Sequence, residues 1–397
     1  AITEPGPTSG GEHSTGGSIG SGGEGSDNDG DRLRAPPDGS NRGGSSRRNP
    51  PVSPNDEGYA RQVSVLLVTD ERFLDHRPGR MHPERPARLE AVWSGLRSAG
   101  LEDALVCREP RLAADEDLLR CHPSDHLTAL VEIDAAGGGF LDADTVMSPG
   151  SWSAARLAAG AGLVAVAALQ AGEADVAFCA VRPPGHHATP SRAMGFCLVN
   201  NLAVTAASLA EAGERVAIVD IDAHHGNGTQ DVFYDDPRVL FVSIHQWPLY
   251  PGTGAEEEVG TGKGVGTTLN LPIPAGSAGD TYRHALDQVV IPAVDRFVPD
   301  WLLISAGYDA HRADPLTDLG LTSGDFADLT TGLVGLVPRS RCVLFLEGGY
   351  DLEALADSSG ASVAAAVGVD HRPELPTGDG PGRDVVDRVV ERHGLDG

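Results

Sequence analysis

Lysine is almost missing from this 397-residue chain, since Lys263 is the only one and the other strongly basic residues are arginines. Acidic residues outnumber basic residues by 57 to 30, and the formal net charge is -27. Such a charge repels phosphate backbones and anionic lipids, so we expect neither a nucleic-acid partner nor membrane-surface binding. Cationic partners would be favoured instead.

Long apolar runs are also missing. The longest candidate, residues 154–170, is rich in alanine and glycine and includes Arg156. A membrane span needs about 20 apolar residues, so we expect none. The N-terminal residues lack the apolar core of a secretory signal. We therefore predict a cytoplasmic protein.

The cysteines are few, scattered and without a Cys-x-x-Cys pair. An odd number of isolated cysteines argues against a disulfide framework and against a thiolate zinc site. We expect small buried thiols at Cys107, Cys121, Cys179, Cys197 and Cys342.

Composition divides the chain into three parts. Residues 1–60 are rich in Gly, Ser and Pro and poor in aliphatic side chains. This predicts a disordered tail, because such a segment can bury little apolar surface. We predict a folded domain over residues 61–372 and a polar C-terminal segment, residues 373–397, with one short amphipathic helix at 384–393.

Short apolar segments alternate with segments of helical periodicity after residue 63. This alternation predicts an α/β fold in which a parallel sheet is covered by helices on both faces. The predicted strands are residues 63–68, 175–181, 215–221, 238–244, 301–305 and 341–346, and the predicted helices are 83–96, 151–169, 198–212, 280–297 and 323–337.

Residues that can carry chemistry follow four of the predicted strands. In parallel sheets ligands bind at the carboxyl ends of the strands, so these residues would lie along one edge. The four segments are residues 182–187, 222–228, 306–311 and 347–351, and they are rich in His, Asp and Tyr.

Three residues of this edge could hold a divalent metal ion. Asp220, Asp222 and His224 alternate at a strand end, so their side chains leave on the same face. Their burial would be costly unless a cation compensated the charge. Asp222, His224 and the distant Asp309 would supply one nitrogen and two oxygens and leave coordination positions open, as catalytic sites do. The alternative is a buried Asp–His hydrogen-bond pair that only connects strands.

Two histidines and a tyrosine at this edge could take part in a reaction. His186 and His187 are candidate proton carriers, because an ordinary histidine pKa of about 6.5 suits general acid–base catalysis. Tyr350 follows a Gly-Gly turn, and its phenol could donate to a developing oxyanion. For a single tyrosine, simple packing explains the pattern equally well.

These segments resemble the histone deacetylase superfamily, specifically its class II and bacterial branch. The resemblance covers residues 63 to about 370, and several long motifs occur in the family's order. The family fold is a single α/β domain of the arginase/deacetylase type with a central, mainly parallel sheet, which agrees with the alternation above. The matching motifs are RPPGHHA at 182–188, GFCLVNN at 195–201, DIDAHHGNGTQ at 220–230, SAGYDAH at 305–311 and EGGYD at 347–351.

The resemblance implies a zinc-dependent amidohydrolase that acts on N6-acetyl-lysine in a protein or peptide and releases acetate and a free amine. Tyr350 matches the residue that polarises the acyl carbonyl. The ligands of one zinc ion per chain are matched by Asp222, His224 and Asp309.

The two histidines receive different roles from the resemblance. His187 matches the general base that later acts as general acid. His186, paired with Asp220, matches a second, largely electrostatic imidazole. Asn227 stands where class I members carry an aspartate, and the class II branch has asparagine there. A neutral asparagine raises the pKa of His187 less than an aspartate would. The basic limb of the pH–activity profile could therefore differ from that of class I members.

The resemblance also assigns a substrate channel. Gly195, Phe196 and Tyr250 resemble the wall of a narrow acyl-lysine channel, with Tyr250 in place of the more usual phenylalanine. Leu316 occupies a rim position where a polyamine-selective member carries glutamate, which favours acyl-lysine. An acetylated polyamine remains the alternative substrate, because the charge of -27 could attract a polycation.

Further expectations concern a loop and structural ions. Asp142 or Asp144 could hold the substrate backbone as a loop aspartate does in the family, and a solvated loop carboxylate is the alternative. We expect structural potassium near the zinc. The family's first potassium site maps around Asp220, Asp222, His224, Ser243 and Ile244, and its second lies near Phe233, Asp236 and Val239.

Three other interpretations stay open. An Asp–His–Asp set can hold iron as well as zinc. An arginase-type hydrolase with two manganese ions shares the fold, but it needs a second carboxylate soon after the Asp-Ala-His segment, and residues 225–227 supply none. A catalytically silent acyl-lysine binding module would not need Tyr350, His186 and His187 together. The sequence does not indicate the oligomeric state.

Overall fold

An eight-stranded sheet runs through the protein in the computed structural model, which describes residues 63–395. The tail predicted for residues 1–60 lies outside the described residues. A separate two-stranded antiparallel hairpin is formed by the third and fourth strands. In chain order, the strands are β1 (Val65–Val68), β2 (Leu105–Arg108), β3 (Gly139–Phe140), β4 (Val146–Met147), β5 (Val176–Cys179), β6 (Val216–Asp220), β7 (Val239–Gln246), β8 (Thr268–Ile273), β9 (Trp301–Ala306) and β10 (Cys342–Leu346).

The strand order across the large sheet is β2-β1-β5-β10-β9-β6-β7-β8. Its described pairings are all parallel. Every residue of the six central strands is buried. A parallel sheet buried in this way has both faces covered. The predicted α/β fold with a central, mainly parallel sheet is therefore confirmed.

Helices form two groups around the sheet. Four of them pack in succession as α1, α10, α9 and α7, and α3, α4, α5 and α6 form a second succession. The helices are α1 (Ala87–Ser98), α2 (Asp115–Leu118), α3 (Ser124–Ala135), α4 (Ser151–Gln170), α5 (Asn201–Glu211), α6 (Asn227–Phe233), α7 (Gly279–Ala285), α8 (Ile291–Phe297), α9 (Ser323–Val334), α10 (Leu352–Ala366) and α11 (Arg383–His393).

Four strands were not predicted from the sequence pattern. Two of them, β3 and β4, form the short hairpin, and the other two, β2 and β8, are the edge strands of the large sheet. Residues of β2 are only partly buried or exposed, so this strand lacks an apolar run. In β8 the apolar pattern is broken by Asn270 and Pro272. Proline is tolerated at a sheet edge because its missing N–H costs no central hydrogen bond. Edge position thus explains why both were missed.

The helix predicted over residues 280–297 is not continuous α-helix. It consists of α7, one π-helical turn at Leu286–Val290, and α8. Pro292 lies in the first turn of α8, where it cannot donate a backbone N–H to the preceding turn. A wider turn accommodates this missing donor.

Helix α4 is long and apolar enough to cross a membrane by length and composition, although no such run was expected. Two thirds of its most apolar 18-residue window is buried inside the fold. A Cβ at Gly162 would collide with the side chains of Thr205 and Phe345, so this helix lies tightly against its neighbours. In the structure it is a core helix.

The cysteines deviate from expectation at one position. Four of the five are buried, as predicted, but Cys107 is exposed because it lies on the edge strand β2.

The C-terminal segment packs directly on the domain. Its helix α11 lies within one residue of the predicted range and contacts β8 and α7. Val386 and Val389 are fully buried on the inner face of this helix.

Replacing Val389 by alanine should therefore lower the free energy of unfolding by about 1–3 kcal/mol, because the substitution leaves a cavity under α11. Denaturant unfolding of the full chain measures this difference. Val265→Ala is the matched control, since Val265 is 63% exposed. We expect the control to change stability by less than about 0.5 kcal/mol. An equal loss in both variants would contradict the packing of α11.

Candidate active site

The four strands whose ends were predicted to carry chemistry are neighbours in the sheet. They occur in the order β5, β10, β9 and β6. Because these strands are parallel, the segments that follow them meet at one edge. Sequence-remote residues are thus brought together at this edge, as the strand ends predicted.

Asp222, His224 and Asp309 form a compact buried cluster, with one ligand atom of each within 4.8 Å of the others. The His224 Nδ1 lies 2.9 Å from Asp309 Oδ2 and 3.3 Å from Asp222 Oδ1. The loop after β10 holds the Asp222 carboxylate in place, since the backbone N–H of Gly348 donates to Asp222 Oδ2 at 2.8 Å. A Cβ at Gly348 would collide with both carboxylates, so glycine is required there.

A divalent metal ion fits this donor set. Burial alone would lower the pKa of His224, but hydrogen bonds to Asp222 and Asp309 outweigh it and raise this pKa to about 10. The two carboxylates therefore require a positive charge beside them, which a metal ion would provide. One nitrogen and two oxygens also leave coordination positions free, as in catalytic sites.

His186 lies against a buried carboxylate. Its Nδ1 is 3.0 Å from Asp220 Oδ2, and its Nε2 is 3.8 Å from Asp222 Oδ1. Burial alone would lower the pKa of His186, but Asp222 and Asp220 raise it well above its usual value. This imidazole therefore favours the charged form.

His187 has the opposite surroundings. Its Nδ1 lies 2.8 Å from the amide oxygen of Asn227, which can only accept, so Nδ1 carries a proton and Nε2 is left as the acceptor. Burial lowers the pKa of His187, and His186 and His224 lower it further. The ring centroids of His186 and His187 are only 4.0 Å apart. Two adjacent histidines are thus driven towards opposite protonation states.

Tyr350 lies in the loop after β10 and is held in place by Asp314 of the loop after β9. Its backbone N–H donates to Asp314 Oδ2 at 2.6 Å, and that carboxylate also accepts from the N–H groups of Asp351 and Leu316. Burial raises the pKa of the Tyr350 phenol well above its usual value, so the hydroxyl keeps its proton. Asp314 thus connects the loop after β9 to the loop after β10.

A narrow cavity of about 220 Å³ opens onto this cluster. The ring of Tyr250 stands perpendicular to His187 at 5.1 Å, and Phe196 stands perpendicular to Tyr350 at 5.7 Å. All four predicted channel residues line the cavity. The full lining is Asp144, His187, Gly195, Phe196, His224, Leu249, Tyr250, Leu316 and Tyr350.

The channel wall at Gly195 and Phe196 is built from an unusual backbone. Both residues have positive φ angles, 56° and 68°, and Phe196 is one of few non-glycine residues of the described chain in this region. A Cβ at Gly195 would collide with the ring of His187. The tight turn therefore lets the Phe196 ring and the His187 ring face the same narrow space.

Sequence reasoning missed a buried ionic cluster beneath the site, formed by Glu84, Arg88, Arg182 and His76. Glu84 pairs with Arg182 through two hydrogen bonds and lies 3.3 Å from Arg88 and 3.2 Å from His76. Burial alone would raise the pKa of Glu84, but Arg182 and His76 hold it well below its usual value. No sequence pattern indicates the pairing of Glu84 with Arg182, since the two residues lie 98 positions apart in the chain.

This ionic cluster connects two of the loops that carry the site. Arg88 donates to the carbonyl oxygens of Glu347 and Gly349, and its guanidinium lies 4.9 Å from the centroid of the Tyr350 ring. Arg182 begins the loop that carries the two histidines. Glu347, to which the sequence analysis assigned no role of its own, adds a direct connection, because its Oε2 accepts from the N–H groups of Gly185 and His186.

Comparison with known proteins shows which family this chain is similar to. A family model described as "Histone deacetylase domain" matches residues 82–366. A "Probable deacetylase" of Archaeoglobus fulgidus is 42% identical over 311 residues, which cover 77% of this chain and 86% of that protein. The "Histone deacetylase-like amidohydrolase" of Pseudomonas aeruginosa is 41% identical over 288 residues, which cover 71% of this chain and 76% of that protein.

A solved structure is similar as well. The crystal structure of the HDA15 HD domain superposes with a TM-score of 0.77 at 36% identity, and the match covers 83% of this chain and 94% of that one. Its likeness, together with the family match over most of the chain, agrees with the resemblance found in the motifs. The chain belongs to the histone deacetylase family.

Proposed function

We propose that this protein is a zinc-dependent deacetylase that hydrolyses the amide of N6-acetyl-lysine in a protein or peptide. The observation that carries the proposal is the meeting of three chemical groups at the end of one narrow channel. These groups are the Asp222–His224–Asp309 cluster, the acceptor nitrogen of His187 and the phenol of Tyr350.

A zinc ion held by Asp222, His224 and Asp309 would supply Lewis-acid polarisation of the acyl carbonyl and of the attacking water. His187 accepts the proton of that water through Nε2, because its Nδ1 proton is engaged by Asn227. The same nitrogen then returns the proton to the leaving amine. A lowered pKa suits this exchange, since the ring must be neutral before attack.

Tyr350 and His186 stabilise the negative charge that develops during the reaction, and neither acts as the base. The Tyr350 hydroxyl donates to the carbonyl oxygen as negative charge develops there. His186, held by Asp220, keeps a positive charge next to the reacting atoms, since its pKa is raised. Acetate and a free amine are the products.

The channel supports a linear acyl-amine substrate. Phe196 and Tyr250 offer flat apolar walls for the methylene chain of lysine, and Gly195 leaves room between them. Leu316 lines the same channel and, unlike the glutamate of a polyamine-selective member, offers no carboxylate at this position; Asp144 is the one acidic residue of the lining. Leu316 thus favours acetyl-lysine over acetylpolyamines. A hydrolysis panel with both substrate classes tests the preference directly.

We also propose structural potassium, as the family resemblance implies, and a cytoplasmic setting, as expected from the sequence. Asp220 and Ser243, two of the residues implied for the first potassium site, are register partners on the neighbouring strands β6 and β7. Of the residues implied for the second site, Phe233, Asp236 and Val239 lie in two successive turns, in which Asp236 N–H donates to the carbonyl of Phe233 and Val239 N–H donates to that of Asp236.

Replacing Tyr350 by phenylalanine should lower kcat for an acetyl-lysine peptide by about 100- to 1,000-fold, because one oxyanion donor is lost. Steady-state kinetics measures this effect. Tyr250→Phe is the matched control, since Tyr250 lines the same channel and we assign no proton transfer to its hydroxyl. A Tyr350→Phe variant as fast as the parent would remove the assigned role.

Removing divalent metal by dialysis against a chelator should abolish hydrolysis, and zinc should restore it. The assay is peptide hydrolysis with metal analysis of the same samples. A circular dichroism spectrum shows that the protein stays folded during the cycle. We expect one ion per chain, whereas two manganese ions per active chain would support the ureohydrolase alternative.

Asp314→Ala should lower kcat about 10-fold with little change in KM, because Tyr350 loses its backbone anchor. In a Tyr350→Phe background the same change should cost less than about 3-fold, since the two residues act together. Asp318→Ala, an exposed position of the same loop, is the control. Fully additive losses would show that Asp314 does not act through Tyr350.

A further inference from the structure

A second cavity lies at the opposite edge of the sheet from the channel. It has a volume of about 530 Å³ and lies where β6, β7 and β8 begin, next to α8 and the end of α11. The residues of the candidate active site follow the carboxyl ends of the strands, whereas this cavity lies at their amino ends. The length of the strands therefore separates the two sites. Apolar walls are provided by Leu240, Leu269, Ala293, Phe297 and Leu395.

Arg215 is held in a fixed position at this second cavity. Its guanidinium stacks on the ring of Phe297 at 4.1 Å, and its Nε donates to the carbonyl oxygen of Phe297 at 3.0 Å. Within residues 63–395 the guanidinium forms no ion pair with a carboxylate. Both Nη groups are therefore available to an anion.

Arg296 is also held by backbone carbonyls rather than by a carboxylate. Its Nη1 donates to the carbonyl oxygen of His393 at 2.9 Å, and its Nη2 donates to that of Gly394 at 2.5 Å. In the part of the chain that the structure describes, this guanidinium likewise has no carboxylate partner. These carbonyl oxygens at the end of α11 carry only partial negative charge, so no full counter-charge from the described residues neutralises the guanidinium.

Two more basic groups line the second cavity. The ring of His393 has a buried Nε2 without a hydrogen-bond partner among the described residues. Burial lowers the pKa of His393, and Arg392 and Arg296 lower it further, so the ring is neutral and can donate one N–H. Arg392 pairs with Glu257, the one acidic lining residue, which is 64% exposed. Such an exposed ion pair contributes little.

We propose that the second cavity binds a small organic anion, namely a carboxylate with an apolar body, between the guanidinium groups of Arg215 and Arg296. Guanidinium groups match the two oxygens of a carboxylate and cannot lose their charge. Leu240, Leu269 and Phe297 would bury the apolar body. The volume lies in the range of small-molecule pockets and exceeds what an inorganic anion fills.

The charge of the whole chain makes this local arrangement informative. The protein carries 57 acidic and 30 strongly basic residues, yet three arginines and one glutamate line this cavity, with a further glutamate, Glu256, 3.7 Å from Arg392. An anion bound there would offset the repulsion between Arg296, Arg392 and Arg215.

Isothermal titration calorimetry of the full-length, metal-loaded protein with cyclohexanecarboxylate tests the proposal. The matched probes are cyclohexylmethanol, which lacks the charge, and cyclohexylmethylamine, which reverses it. Each titration is repeated with the catalytic channel filled by an excess of a lysine-length hydroxamate, so that binding near the metal cluster is excluded. We expect one carboxylate per chain, with or without the hydroxamate, and no saturable binding of the alcohol or the amine.

Arg215→Gln and Arg296→Gln should each weaken the affinity for cyclohexanecarboxylate at least about 10-fold, since each removes a charged hydrogen-bond donor. Arg97→Gln, an exposed arginine on α1, is the control and should leave the affinity unchanged. The thermal midpoint of each variant shows whether it is folded. Equal affinity in the parent and in Arg215→Gln would overturn the proposal. Equal binding of the alcohol, or binding lost when the channel is filled, would also overturn it.

Discussion

The candidate active site depends on two buried carboxylates that face one imidazole. Asp222 and Asp309 lie on loops that are 87 residues apart in sequence, and both point at His224. Their charges can be buried only beside a cation, and the sheet brings them together only because β6 and β9 are parallel neighbours. The fold therefore creates a position that requires positive charge and leaves it open on one side to a channel.

The same principle explains why two adjacent histidines behave differently. His186 faces carboxylates, and its pKa is raised, whereas His187 faces a neutral amide, and its pKa is lowered. Residue type and position in the sequence do not distinguish the two rings, since both are histidines that follow the same strand. Burial, His186 and His224 lower the pKa of His187, and the neutral Asn227 opposite its Nδ1 adds no negative charge that would offset them. In the proposed mechanism, this difference makes His186 the electrostatic group and His187 the proton carrier.

The central strands and the site edge could be predicted from the sequence, because buried parallel strands are continuous apolar runs and active-site residues follow them. The edge strands β2 and β8 could not, since partial burial and Pro272 break their pattern. The groups that support the site were also missed. Glu84 and Asp314 resemble ordinary surface acids in the sequence, and only the fold shows that they are buried against Arg182 and the Tyr350 backbone. Such long-range pairs leave no periodic signal.

The central claim is that Asp222, His224 and Asp309 share one divalent ion in a catalytic setting. Anomalous X-ray diffraction from crystals of the active protein, recorded on both sides of the zinc absorption edge, tests it most directly. The account predicts a single zinc peak at about 2.0–2.2 Å from one oxygen of each carboxylate and from a ring nitrogen of His224. An active protein whose crystals show no anomalous peak among these three side chains, or show a pair of metal ions there, would contradict it.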